Sequence, residues 1–378
     1  MADVIVIGGG IVGMSAAYHL AKQQADVLLI DRHHPERATN AGAGILSPET
    51  TGLTIDPVWL DFAIACVDYY PSLIQQLEAA GQTETGYATC GELTVAIDDD
   101  ELEAFNHARE VIFQRQARRG TPSAADLYEI TSDEAQQLFP LMAPVKGAIY
   151  YRNAARVDAR MLTAAMLNAS PNLKHREAMV ESLHIENGRI TGVILADGKL
   201  IPCEKVIIAG GAWSAKFGEQ LGVTIPVKPQ RGQIIHLDVP DVDTTHFPVI
   251  IAFHGHYMVP WHDNRIVIGA TRENNTGFNP VTTAEGMREV LAEGLRVAPG
   301  LKNAQFREIR VGLRPSTVDN LPVLGNVPGV DNLFLATGHG ASGLQLGPYS
   351  GKLAADWAMD QPLDTDIAPF SITRFADV

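Results

Sequence analysis

The sequence predicts a mixed α/β fold, α+β overall, in which a Rossmann-like region is interleaved with a second domain built on an antiparallel sheet. Three observations predict it. The apolar run Val4-Ile5-Val6-Ile7 ends in a glycine motif that opens a helical pattern. Two further apolar runs, Val206-Ile207-Ile208-Ala209 and Leu333-Phe334-Leu335-Ala336, lead directly into glycine-rich sequence far downstream. Between them, from Gln233 to Ala270, the pattern changes to short strands joined by turn residues.

The first element is a buried parallel strand, because Val4 to Ile7 is β-branched and apolar without alternation. Ile11 to Lys22 follows as a helix, with Val12, Ala16 and Leu20 on one face, and Val27-Leu28-Leu29-Ile30 is the next strand, which completes a βαβ unit. Val4 to Ala21 carries no Asp, Glu, Lys or Arg. Gly8, Gly9, Gly10 and Gly13 nevertheless interrupt it and no basic residue precedes it, so it reads as folded protein and not as a signal peptide or anchor.

Trp59, Phe62, Ala63, Cys66, Tyr69, Tyr70, Leu73 and Leu77 recur at three- and four-residue intervals, the stripe of an amphipathic helix packed on a core. Thr131 with Glu134 is a capping-box signature for a short helix reaching Leu138. Ile234-Ile235-His236-Leu237, Tyr257-Met258-Val259-Pro260 and Arg265-Ile266-Val267-Ile268 read as antiparallel strands, the last two joined by Trp261-His262-Asp263-Asn264. A chain of 378 residues exceeds what one core usually serves. The expected division places 1–85, 145–225 and 312–378 in the nucleotide-binding domain and 86–144 and 226–311 in the substrate domain.

Composition excludes several classes. Forty-four acidic against 29 basic residues leave a formal charge of −15, a surface that repels nucleic acid and anionic lipid. Three cysteines without a C-x-x-C pair argue against a disulfide framework or a zinc cluster and fit a reducing cytoplasm. The pair His254 and His256 lacks a third ligand or an H-E-x-x-H motif, so no metal is expected. No G-x-S-x-G elbow occurs.

The chemistry starts at Gly8-x-Gly10-x-x-Gly13. The first glycine permits the turn, the second lets backbone approach a pyrophosphate, and the third allows close helix–strand packing. The helix N-terminus then offers free N–H groups to phosphate. Asp31, at the end of the second strand, suits the hydroxyls of an adenosine ribose and disfavours a 2′-phosphate. The motif serves NAD and FAD alike. Thr39 to Ser47, small and polar, either runs beneath a large flat ligand or is a flexible surface loop. Thr337-Gly338-His339-Gly340-Ala341-Ser342-Gly343 precedes an apolar helical segment from Leu344 to Met359 and brings a second helix N-terminus, whose dipole favours a nearby anion.

In order along the chain, these blocks together with Val206-Ile207-Ile208-Ala209-Gly210-Gly211-Ala212-Trp213-Ser214, Tyr257-Met258-Val259-Pro260 and Val311-Gly312-Leu313-Arg314-Pro315 resemble the FAD-dependent amino-acid and amine oxidoreductases, the family of glycine oxidase and D-amino-acid oxidase. The resemblance implies noncovalent FAD contacted by Gly8, Gly10, Ile11, Val12, Gly13, Asp31, Arg32, Thr39, Asn40, Ala43, Gly44, Ile45, Val180 and Gly210. From the C-terminal loop it adds Gly338, His339, Gly340, Ala341, Ser342, Gly343, Leu344 and Gln345. It also implies that Arg314 and Tyr257 hold a substrate carboxylate. A guanidinium fork matches that group.

Two departures bear on substrate. Ala341 stands where glycine oxidase has an arginine, and Arg272 where a methionine is expected. Arg272 either contacts a second carboxylate, reads an acidic side chain, or lies exposed on its loop. None of the cysteines falls from Arg314 onward, where sarcosine-oxidase relatives attach flavin.

The expected activity is FAD-dependent oxidative deamination of an amino acid, a D-amino acid first. The α-carbon gives up hydride, and the imino acid hydrolyses to a keto acid and ammonia. Glycine or sarcosine oxidation, a non-catalytic flavin-binding subunit and an NAD-dependent dehydrogenase are the rival readings. The expected partners are a small amino acid or amine, oxygen or another electron acceptor, and a second copy in a homo-oligomer, with no nucleic acid and no transmembrane segment.

Overall fold

The computed structural model describes residues 2–53 and 57–376. Its first elements are β1 (Ala2–Ile7), α1 (Ile11–Lys22) and β2 (Val27–Asp31), the expected βαβ unit. β1 pairs in parallel with β2, Ile7 opposite Ile30, and on its other side with the strand Leu200–Ile208, Ile7 opposite Ile208. That strand pairs in parallel with Val330–Thr337. The apolar runs at 206–209 and 333–336 therefore belong to one sheet with β1. Lys174–Glu177 extends it beyond β2.

Both faces of this sheet are covered, which is why its strands are apolar without alternation. Val4 and Val6 point to the side of α1 and the C-terminal helix Gly343–Ala358, whereas Ile5, Ile7, Val206 and Leu333 point to the other side. The two helices lie close because Gly351 carries no side chain: a Cβ there would stand 2.4 Å from the Val12 carbonyl oxygen. The stripe predicted from Trp59 to Leu77 is α2 (Pro57–Ala79), and its Trp59, Phe62, Cys66, Tyr70, Leu73 and Leu77 are buried in the same core. The Thr131 hydroxyl caps the helix Ser132–Leu138, accepting from the Glu134 amide at 3.3 Å.

The second sheet has the strand order Gln305–Ser316, Lys228–Asp238, Arg265–Gly269, Tyr257–Trp261, Val249–Ala252, Glu92–Ala96, Gly147–Tyr151, Leu127–Ile130. It is antiparallel as expected except where Val249–Ala252 runs parallel to Glu92–Ala96. Two expected boundaries fall elsewhere. Gly147–Tyr151, placed by the sequence in the nucleotide-binding region, pairs with Glu92–Ala96 and Leu127–Ile130 in this second sheet. The division at 311/312 lies inside Gln305–Ser316, whose ladder with Lys228–Asp238 is continuous to Ser316. Positions 312–316 thus share one unbroken ladder with 228–232 and sit in the second sheet. Among the described residues no helix is long and apolar enough to cross a membrane.

Candidate active site

Because β1, β2, Leu200–Ile208 and Val330–Thr337 run parallel, the glycine-rich segments at their carboxyl ends gather on one edge of the sheet, where open α/β folds bind ligands. A cleft begins there and ends against the antiparallel sheet, lined by Gly8, Gly10 and Asp31 from the first sheet and by Tyr257, Arg272 and Arg314 from the second. A lining drawn from both sheets suits a long, two-ended ligand.

At the nucleotide end, Gly8 has φ +104°, and a Cβ on it would stand 2.5 Å from the Ala209 carbonyl oxygen. Only glycine meets both demands. The Thr39 hydroxyl accepts from the Ile11 amide at 3.0 Å, tying the segment after β2 to the first turn of α1. Asp31 Oδ2 accepts from Arg37 Nη1 at 2.8 Å, and the same nitrogen donates to the Gly9 carbonyl at 3.1 Å. His34 stacks on Trp213 with ring centroids 4.3 Å apart, and both line the cleft.

The C-terminal loop enters through Gly338 and Gly340, at φ +75° and +52°. It delivers the N-terminus of Gly343–Ala358 to the cleft, with Gly343, Leu344 and Gln345 on its surface. Gln345 Oε1 accepts from the Ser47 amide at 3.1 Å, which fixes the far end of the 39–47 segment against this helix. Burial pushes the His339 imidazole down to about 4, so it is neutral at pH 7, where it bonds the Ser350 hydroxyl at 3.0 Å.

The opposite end is built by the second sheet. Arg314, near the end of Gln305–Ser316, donates from Nη1 to the Thr271 carbonyl at 3.0 Å. Its guanidinium lies over Gly232 and faces the Tyr257 hydroxyl. Desolvation lowers the Arg314 pKa, with nearby Arg272 adding to the effect and Tyr257 opposing it. Burial raises the Tyr257 pKa, opposed by the two arginines, so its hydroxyl stays protonated and can donate. Arg314 and Arg272 form no ion pair among the described residues. A guanidinium beside a phenol donor has the chemistry to take up a carboxylate.

The structure brings most of the expected site residues to this one cleft: Arg314, Tyr257 and Arg272 at one end, and Gly8, Gly10, Ile11, Val12, Asp31, Arg32, Thr39, Ala43, Gly44, Ile45, Val180, Gly210, His339, Gly340, Ala341, Gly343, Leu344 and Gln345 along it. Four do not reach its surface. Gly13 sits one turn down α1, where its missing Cβ would lie 1.9 Å from the Gly8 oxygen; it packs helix on strand. Asn40 turns back to the Pro35 carbonyl and Arg37. Gly338 faces Thr317 and Val323, and Ser342 closes a turn onto the His339 carbonyl.

Sequence reasoning missed Arg37, His34, Trp213, Met179 and Gly232, all on the cleft. For Arg37 a signal existed, a cation six residues after an acidic strand end. The others lack one, since a glycine inside a strand or a methionine in a loop says nothing of what it faces. No cysteine lines the cleft among the described residues.

A family model described as FAD dependent oxidoreductase matches residues 3–357. The chain is 38% identical over 375 residues to the uncharacterized oxidoreductase YurR of Bacillus subtilis, covering 98% of both chains. It is 32% identical over 377 residues to the glycine oxidase of Pseudomonas putida, again covering 98% of both. Among solved structures, iminodiacetate oxidase from Chelativorans sp. BNC1 superposes with a TM-score of 0.91 at 40% identity, covering 97% of this chain and 98% of that one. Glycine oxidase from Geobacillus kaustophilus follows with a TM-score of 0.86 at 28% identity, covering 99% and 98%.

Proposed function

The chain belongs to the family of FAD dependent oxidoreductases, and we propose that within it the protein oxidises the α-carbon of an amine that presents a carboxylate to Arg314 and Tyr257. FAD is the cofactor, and when bound it supplies the two-electron acceptor for the hydride. The cleft fits it. Gly8 lets backbone pass where a side chain would collide, the first turn of α1 and the start of Gly343–Ala358 offer N–H groups, and Asp31 stands at the ribose end. Among the described residues no cysteine lines the cleft, which supports noncovalent binding of the cofactor.

The observation that carries the reading is the Arg314–Tyr257 pair in that cleft. Arg314 fixes the carboxylate through its planar fork and Tyr257 donates to the same group, so the α-carbon is held in one place. Alignment of this kind is worth on the order of 7–11 kcal/mol in favourable cases. Loss of hydride with the nitrogen lone pair shared into the bond leaves a C=N double bond. Water adds to that carbon and releases the amine, giving a carbonyl acid. The amine must arrive unprotonated, which asks of the protein a dry site and not a base.

The names of the relatives support two substrates of this class, glycine and iminodiacetate. The D-amino acid expected from the sequence shares the same α-carbon chemistry. Anaerobic addition of each, with the flavin absorbance followed, tests the proposal: a substrate bleaches the yellow colour. Arg314→Ala should bind FAD and fail to bleach. An Arg314→Ala protein that bleaches at the wild-type rate would overturn it. Hydrogen peroxide formed in air identifies oxygen as the electron acceptor.

A further inference from the structure

Neither arginine at the substrate end forms an ion pair among the described residues, and Glu273 acts on Arg314 only through space. Of all the described residues lining the cleft, the single acidic one is Asp31, at the far end and paired with Arg37 at 2.8 Å. In a chain of net charge −15, such an all-positive surface is a local exception.

The acidic residue next to Arg272 in the chain is Glu273. That carboxylate is fully engaged elsewhere: Oε2 accepts from Arg231 at 2.5 Å, and Oε1 accepts from Gln233 at 2.7 Å and from Thr271 at 2.8 Å. The backbone is pinned as well, with Arg231 and Glu273 exchanging amide–carbonyl bonds of 3.0 and 2.9 Å. Thr271, one residue before Arg272, receives Arg314 Nη1 on its carbonyl oxygen. Arg272 therefore extends from an immobilised base, exposed, on the cleft surface, and one residue removed from the group that holds Arg314.

A second cation here repels Arg314 unless an anion lies against both. One carboxylate leaves a positive charge over, and a dianion leaves none. We propose that Arg272 seats a second carboxylate, so that the preferred substrates are amines bearing two carboxylates, with Arg272 the specificity-determining residue. This rests on the carboxylate seat at Arg314 and Tyr257.

The test uses matched pairs that differ by one carboxylate: sarcosine against iminodiacetate, and D-alanine against D-aspartate. With the holoenzyme, kcat/KM should favour the dicarboxylate in at least one pair by roughly 10- to 100-fold, the return on hydrogen bonds to a charged group at a partly exposed site. Arg272→Met should collapse that ratio toward one, chiefly through KM, and Arg272→Lys should restore part of it. A wild-type ratio at or below one in both pairs, or a ratio that Arg272→Met leaves unchanged, overturns the assignment. Binding without turnover gives a second readout: malonate should raise the Tm of the holoenzyme more than acetate does, and the difference should vanish in Arg272→Met. Failure of the underlying reading looks different, because Arg314→Ala would then oxidise the monocarboxylate members normally.

Discussion

Gly232 and Arg314 compete for one space: a Cβ built on Gly232 would stand 2.5 Å from the guanidinium carbon and from both terminal nitrogens of Arg314. The two strands that carry them are paired, Gly232 opposite Gly312 and Gln230 opposite Arg314, so the guanidinium lies flat across bare backbone. The missing side chain at Gly232 thus sets where the Arg314 guanidinium lies.

Gly232→Ala should push Arg314 off this position. A misplacement of about 1 Å can cost roughly 100-fold in rate, and kcat/KM for a carboxylate-bearing amine should fall on that order. FAD content, read from the ratio of visible to ultraviolet absorbance, should remain that of the wild type. Unchanged kcat/KM would show that the guanidinium finds its place without the glycine.

Arg314→Ala should lower kcat/KM by roughly 30- to 5,000-fold, since truncating one partner of a desolvated charged pair costs about 2–5 kcal/mol. Arg314→Lys should recover part of the loss, an ammonium supplying charge without the fork. Any simple amine that is turned over should lose little in either variant. Steady-state kinetics on paired substrates distinguish the cases.

Asp31→Ala should weaken FAD retention by about 1.5–3 kcal/mol, the contribution of a hydrogen bond to a charged acceptor. Because Asp31 Oδ2 already holds Arg37, the same change frees that guanidinium, and part of the loss belongs to it. Arg37→Ala and the double variant complete a cycle. Titration of apoprotein with FAD, followed by quenching of flavin fluorescence, should show the double variant losing less than the sum of the single ones.

Acid denaturation followed by filtration should carry all yellow colour through the membrane. Cys66 and Cys203 are buried and Cys90 is partly so, and none lines the cleft. Flavin retained with the polypeptide would contradict noncovalent binding.

Stability should fall as pH drops below 6.5, and His19 should account for part of it. Burial pushes His19 down to about 3, and its Nε2 shares a 2.7 Å hydrogen bond with the Tyr69 hydroxyl. Between pH 6.5 and 3 the unfolded chain therefore binds a proton that the folded chain refuses, so unfolding is favoured as pH falls. Each such group contributes up to about 1.4 kcal/mol per pH unit. His19→Gln, whose amide can still bond Tyr69, should make the slope of unfolding free energy between pH 6 and 4 shallower by about one proton. An unchanged slope would mean that the folded protein protonates His19 freely.

What the sequence determined by itself is the local grammar. β1, α1 and β2 follow from an unbroken apolar run, a glycine motif and helical spacing; the helix at Ser132–Leu138 follows from Thr131 and Glu134; the hairpin at 257–269 follows from its turn residues. Each is set by backbone sterics and side-chain period over a few residues. Tertiary structure alone decided which of these pieces meet. It put Gly147–Tyr151 in the second sheet, laid Arg314 across Gly232, turned Asn40 away from the cleft, and used up Glu273 on Arg231, Gln233 and Thr271 while leaving Arg272 with no ion pair among the described residues. Apart from the short-range bonds of Asn40 to Pro35 and of Glu273 to Thr271, those outcomes depend on contacts between residues tens of positions apart, whose geometry is settled by how sheet and helix faces pack and which no local pattern encodes.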